Sequence, residues 1–267
     1  TAKAAKIAGI SVGDSVKYMT SAINGFNLAA SEATRVSDIF AKVAAASATD
    51  YEDLAIALSK VSAQANTAGM SIEFTTALLA KGVETTQEAP ESIGTALKTI
   101  IARMRELSDY GSTLEDNTSV NKVENALKSV GISLRDTNGQ FRDMEEIFNE
   151  LGPQWDNLNT MQQQAIAQAV AGTRQQSRFV AIMQDWGRTQ ELIADANDSQ
   201  GASAAQYAKY AEGMEGAMTR LQTSWQSFTQ SLVDSEGIVK IVNMGTDILT
   251  GVSDFIDKGN PLAKTLL

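Results

Sequence analysis

The sequence predicts a mainly α-helical protein, and three observations carry that expectation. Only three prolines occur in 267 residues, Ala, Leu, Gln, Glu and Lys are abundant, and apolar residues recur every three or four positions. Bulk composition is that of a folded chain, with 43% hydrophobic and 20% charged residues. We expect helical units, one short β-hairpin near 132–141, and a heptad-patterned helix near 205–233.

The elements follow in order. Asp50 stands where it would cap a helix carrying Leu54, Leu58, Val61 and Ala65 on one face, ending before Gly69. Pro90 suits a first helical turn. After it, Ile93, Ala96, Leu97, Ile100, Ile101, Met104 and Leu107 form one stripe, with Lys98, Arg103, Arg105 and Glu106 mostly on the other side. Gly9-Ile10-Ser11-Val12 returns as Gly69-Met70-Ser71-Ile72. This is either a duplicated helical unit of about sixty residues or a recurring turn that places Ser as N-cap.

Residues 108–119, rich in Ser, Asp, Gly, Thr and Asn, read as a linker. Beyond them Ile132 to Arg135 and Gln140-Phe141 flank Asp136-Thr137-Asn138-Gly139, where Asn-Gly predicts a tight hairpin turn. Phe141, Met144, Ile147, Phe148 and Leu151 make a helical stripe that Gly152-Pro153 is expected to stop, with Trp155 and Leu158 packed beneath. A Gln-rich helix starts at Thr160, breaks or kinks near Gly172, and continues with Phe179, Ile182, Met183 and Trp186 on one face. These boundaries divide the chain into a helical region 1–112, a compact core 113–198 and long coiled-coil-patterned helices over 199–267.

The last third differs in kind. Tyr207, Ala211, Met214, Met218, Leu221, Trp225, Phe228 and Leu232 are spaced alternately by four and three, which is a heptad seam. Such a seam demands a partner helix, in another chain or in this one. Tyr207, Met214, Met218, Leu221, Trp225, Phe228 and Leu232 are therefore the candidate helix-partner interface, ended by Asp234-Ser235-Glu236-Gly237. Ile238 to Ile256 follows as an amphipathic helix rather than a membrane span, because Lys240, Asn243, Asp247 and Asp254 interrupt it.

Composition excludes much chemistry. The chain has neither Cys nor His, which removes thiol nucleophiles, disulfides, the usual zinc sites and the commonest general base. A net charge of -10 repels phosphate backbones and anionic headgroups, so no specific nucleic-acid binding is expected. Glycines such as Gly9, Gly69 and Gly131 stand singly at apparent helix ends and build no phosphate cradle. Glu91-Ser92 superficially matches a wall-cleaving dipeptide but lies in a first helical turn, where an acid favours the macrodipole. Glu145-Glu146 and Glu52-Asp53 read as solvated helix faces, Trp155, Trp186 and Trp225 as packing residues, and Arg174 to Arg178 as the wet side of a helix. We assign no catalytic residue, cofactor or metal ligand. Thr1 is not an initiator Met, and we expect the chain to be a piece of a longer one.

Several runs carry a family resemblance. Val123 to Ile132, then Arg135-Asp136 and Gly139 to Met144, resemble the core of phage tail tape-measure proteins. So do Gln164 to Ala167 followed by Ala171 to Gln175 and Phe179, and upstream Ala68 to Ser71 with Ile93 to Lys98 and Arg103. The resemblance implies a non-enzymatic, oligomeric helical protein in the tail lumen or tip, present in the host cytoplasm during assembly. It further implies a role in setting tail length and assisting genome delivery. Its implied partners are copies of itself, tail tube and tip proteins, tail assembly chaperones and the host envelope. Two rival readings are a membrane-active injected effector using the Ile238 to Ile256 face and, further off, a cell-wall hydrolase. An acidic surface would also limit sticking to DNA in the same lumen.

Overall fold

A computed structural model of the chain describes residues 5–7, 9–105 and 120–233, and among these the protein is mainly helical. Ten helices follow a helical turn at residues 5–7: α1 Val12–Gly25, α2 Ala33–Ala46, α3 Tyr51–Thr67, α4 Ile72–Thr86, α5 Pro90–Met104, α6 Val120–Lys128, α7 Met144–Trp155, α8 Thr160–Met183, α9 Trp186–Asn197 and α10 Ala202–Val233. The predicted linker at 108–119, the Asp234 to Gly237 stop and the Ile238 to Ile256 helix lie outside the described residues.

α4 is the hub. It is apolar nearly all round, as a fully enclosed helix must be, and it packs against α2, α3, α5, α8 and α9. Thr75 and Thr76 are buried there without penalty because each hydroxyl donates to the carbonyl four residues back, at 2.7 Å. Around α4 one hydrophobic cluster runs from Met19 to Ala196, drawing side chains from both sides of position 112. Phe74 on α4 meets Phe148 of α7 and Trp186 of α9, while Phe179 of α8 meets Phe148 and stands edge-on to Trp155 at 5.5 Å.

α1, α3 and α5 lie side by side and parallel. Gly25 of α1 touches Ser62 of α3, and Gly94 of α5 abuts the carbonyl of Ala57. A Cβ at Gly94 would sit 2.2 Å from that oxygen, so only glycine permits this approach. The expected stripe on α3 is buried, as is that on α5 from Ile93 to Met104; Glu106 and Leu107 lie outside the described residues. Asp50 occupies the N-cap position of α3, but its side chain makes no capping bond. Arg103 corrects the expectation of a solvent face, since only 7% of its surface is exposed. Its guanidinium donates to the carbonyl of Ala169 at 3.4 Å, just before Gly172 interrupts the hydrogen-bond ladder of α8.

The two Gly-x-Ser turns share one geometry. Gly9 and Gly69 take φ of +70° and +71°, Ile10 and Met70 donate back to Ala5 and Ala65, and Ser11 and Ser71 each cap the next helix. The Gly69 turn also seats α7: Met144 N–H donates to Ala68 O, and Ser71 N–H to Glu145 Oε2, both at 2.8 Å.

The expected β-hairpin is not formed. Among the described residues no strand occurs, and segment 132–141 makes one isolated antiparallel bridge between Arg135 and Phe141. The Asp136 carboxylate holds the loop by accepting from the N–H groups of Asn138 and Gln140, and Gly139 alone within it has positive φ, +77°. The ladder has no room to lengthen, because the Gly131 turn precedes Leu134 and α7 begins at Met144.

Two stops also differ from expectation. α7 runs through Gly152-Pro153 to Trp155. Pro153 sits two residues from the C-terminal end, so the hydrogen bond it forfeits belongs to the last turn alone, and Gly152 is there because Trp186 lies against it. The break near Gly172 occurs as predicted, at φ +67° and ψ 175°. Trp186, however, opens a new helix, since Asp185 turns left-handed at φ +54° and caps it.

Candidate helix-partner surface

The candidate interface lies on α10, a helix of 32 residues and so about 48 Å long. Its first turn is locked to α2. Asp38, only 5% exposed, accepts from the N–H of Gly201 at 2.9 Å and of Ser203 at 3.0 Å, and from the Ser203 hydroxyl. A buried carboxylate thus meets the orphan N–H groups and positive end of a helix, which compensates its desolvation. Gly201 makes the entry turn at φ +81°, and Gln206 donates to Ala41 O at 2.8 Å, one turn further on.

Beyond that anchor most of the described side chains up to Ser224 are exposed. Tyr207 and Met214 are half-buried, and Tyr207 lies against Tyr210 with ring centroids 6.3 Å apart. Ala211 is exposed; Met218 and Leu221 are 53% and 49% exposed. Trp225, Phe228 and Leu232 continue the seam along the helical backbone, and their side chains lie outside the described residues. α2 is the principal neighbour of α10 among the described helices. Asp38 was missed by reasoning on composition, although an acid set among Val36, Ile39, Phe40 and Ala41 is a signal that something must satisfy it.

The other singled-out positions are placed as follows. Glu91 is exposed in the first turn of α5. Glu52 and Asp53, in the first turn of α3, are held above the ordinary carboxylate range, first by burial and then by neighbouring acids. Glu145 and Glu146 open α7; Glu150 is lowered, and Arg142 raised, by the hydrogen bond between them. Trp155 and Trp186 are core residues. Arg178 bonds Glu88 across the surface. Among the described residues no group of three or more acids is placed to hold a metal, and no helix is long and apolar enough to cross a membrane.

The profile of the phage-related minor tail protein family matches residues 1–172. The chain belongs to that family. A probable tape measure protein of Escherichia phage P2 is 21% identical over 249 residues, covering 91% of this chain and 29% of that protein. The chain therefore spans under a third of that relative's length. No solved structure matches. This minor tail protein is thus placed with structural tail components, and its candidate surface at 207–232 lies beyond the matched 1–172.

Proposed function

We propose that this chain is a segment of a tape-measure protein, an oligomeric helical scaffold inside the tail tube that sets tail length during assembly and leaves to assist genome delivery. The observation that carries the reading is α10: a long helix fixed at one end by Asp38 and presenting an exposed heptad seam through Met218 and Leu221. Copies of the chain are the partners that such a seam fits, since a repeated rod is built by repeating one apolar face. Tube and tip proteins surround the rod, assembly chaperones hold it beforehand, and the host envelope receives it. The probable tape measure protein among its relatives supports the same reading.

Tail length tests it. Deleting residues 205–232 in frame removes four heptads and leaves the Asp38 anchor and the downstream register intact. A ruler segment then loses about 42 Å at 1.5 Å per residue, and electron microscopy should show tails shortened in whole tube rings near that value. Tails of unchanged length overturn the ruler role for this segment.

A further inference from the structure

Asn-Gly occurs twice in the chain, as Asn24-Gly25 and as Asn138-Gly139. The dipeptide is chemically fragile, because glycine has no Cβ to shield its nitrogen or to restrict the backbone around it. That nitrogen can attack the side-chain carbonyl carbon of the asparagine before it. The two pairs stand in opposite surroundings. We propose that Asn138-Gly139 is a site of spontaneous modification to isoaspartate, gated by the Asp136 carboxylate, while Asn24-Gly25 is locked. The inference is independent of the ruler reading.

Gly25 is the last residue of α1. A helical backbone commits its N–H to a carbonyl four residues back, and its α-carbon is wedged against Ser62 of α3. The N–H groups that follow are also taken, Phe26 donating to Ala22 O at 3.0 Å and Leu28 to Ile23 O at 2.8 Å. Turning the Gly25 nitrogen toward the Asn24 side chain therefore requires a packed helix end to open. Asn138 and Gly139 instead sit exposed at the tip of their loop, and a Cβ at Gly139 would have no atom within 4 Å. One bond holds the attacking nitrogen, from Gly139 N–H to Asp136 O at 3.1 Å. Asp136 Oδ1 clamps both neighbours, accepting from Asn138 N–H at 2.9 Å and from Gln140 N–H at 2.8 Å. A loop tip held in this way opens locally at little cost.

The step needs water alone. Gly139 nitrogen gives its proton to solvent and bonds to Asn138 Cγ; the Cγ–Nδ2 bond breaks, ammonia leaves, and a succinimide ring closes. Water then opens the ring at either carbonyl, to aspartate or to isoaspartate. Isoaspartate carries the main chain through the side chain and adds a methylene between 136 and 140. The bond from Asp136 N–H to Gln140 O, now 2.9 Å, then no longer fits. Phe141 follows directly, with Arg135 over its ring at 5.1 Å and Arg105 at 5.6 Å, so its seat loosens too. Conversion marks a chain by the time it has spent in water.

The test is to age the full chain in mildly alkaline buffer and map its peptides by mass spectrometry, with enzymatic carboxyl methylation to detect isoaspartate. Position 138 should gain isoaspartate together with aspartate, at least about tenfold faster than position 24, since a loop tip opens more readily than a packed helix. In guanidinium the two rates should converge, because the folded surroundings that separate them are gone. D136A, which releases the clamp, should speed conversion at 138 severalfold while position 24 stays slow; that slow position shows that the variant is folded. Hydrogen exchange at Gln140 and Arg142 should quicken in converted chains. Equal rates at 24 and 138 in the folded chain overturn the proposal, as does aspartate without isoaspartate, which is the mark of direct hydrolysis. A rate at 138 unmoved by D136A, with position 24 still slow, overturns the gating.

Discussion

The carboxylate of Asp38, buried in α2, receives the backbone N–H and the hydroxyl of Ser203 at the start of α10. These residues are 165 positions apart, and their bond joins the compact body to the projecting helix. Asp38→Ala should cost roughly 1–3 kcal/mol, because it strands the buried N–H of Ser203 together with that of Gly201. Asp38→Asn should cost less, since its amide oxygen still accepts from Ser203. Urea unfolding gives the totals. Faster hydrogen exchange at 201 and 203, with the body unchanged, would locate the loss at the anchor.

Gly152 meets the indole of Trp186, and a Cβ there would lie 2.0 Å from Cδ2. Gly152→Ala should therefore destabilise by about 1–3 kcal/mol through overpacking, despite alanine's better helix propensity. A rise in stability in thermal unfolding would contradict the contact. Trp186 fluorescence should shift in the variant, since its ring must move.

A third expectation concerns acid. The parallel arrangement of α1, α3 and α5 gathers Asp14, Asp50, Glu52, Asp53 and Glu91 near one end. Each suits its own helix N-terminus, but together they repel. The folded pKa values of Glu52 and Asp53 stand above their unfolded ones, so their stabilising contribution is full below the unfolded values and is lost as pH rises through the folded ones. Above the folded values both carboxylates carry a cost. Glu52→Gln should raise stability at pH 7 by roughly a few tenths of a kcal/mol, the scale of partly exposed charges. It should also flatten the gain that the parent shows as pH falls toward the ordinary carboxylate range. Glu150 opposes this trend, since its lowered pKa gives stability that is lost on acidification. Thermal unfolding across pH in both chains checks the sign.

How much of this was legible in the sequence depends on whether a residue answers to periodicity or to a distant neighbour. The stripe from Ile93 to Met104 and the heptads of α10 are local patterns, and the helices follow them. Gly172 was readable as a break because glycine interrupts an otherwise helical run. Arg103, Gly152 and Asp38 were not readable, for their reasons lie at Ala169, Trp186 and Ser203, far away in the chain. The Asn-Gly signal near 138 was genuine as a turn. It failed as a hairpin because turns at Gly131 and a helix at Met144 left no length for strands.

Gly172 yields the last expectation. Its φ of +67° and ψ of 175° fall in a region that is essentially closed to residues with a Cβ. The break there turns α8 so that Ile166 and Val170 before it, and Phe179 and Ile182 after it, are all buried in one cluster. Alanine at 172 cannot hold that conformation without strain of about 1–3 kcal/mol, and it favours a continuous helix instead. A straight α8 would swing one half of these apolar residues out of the core. Gly172→Ala should therefore lower the urea midpoint while leaving or raising the helical signal in far-ultraviolet circular dichroism. Asn at 172, better tolerated at positive φ, still cannot meet this ψ cheaply and should recover little. A midpoint unchanged by Gly172→Ala would mean that the break is set by the surrounding packing and not by the glycine.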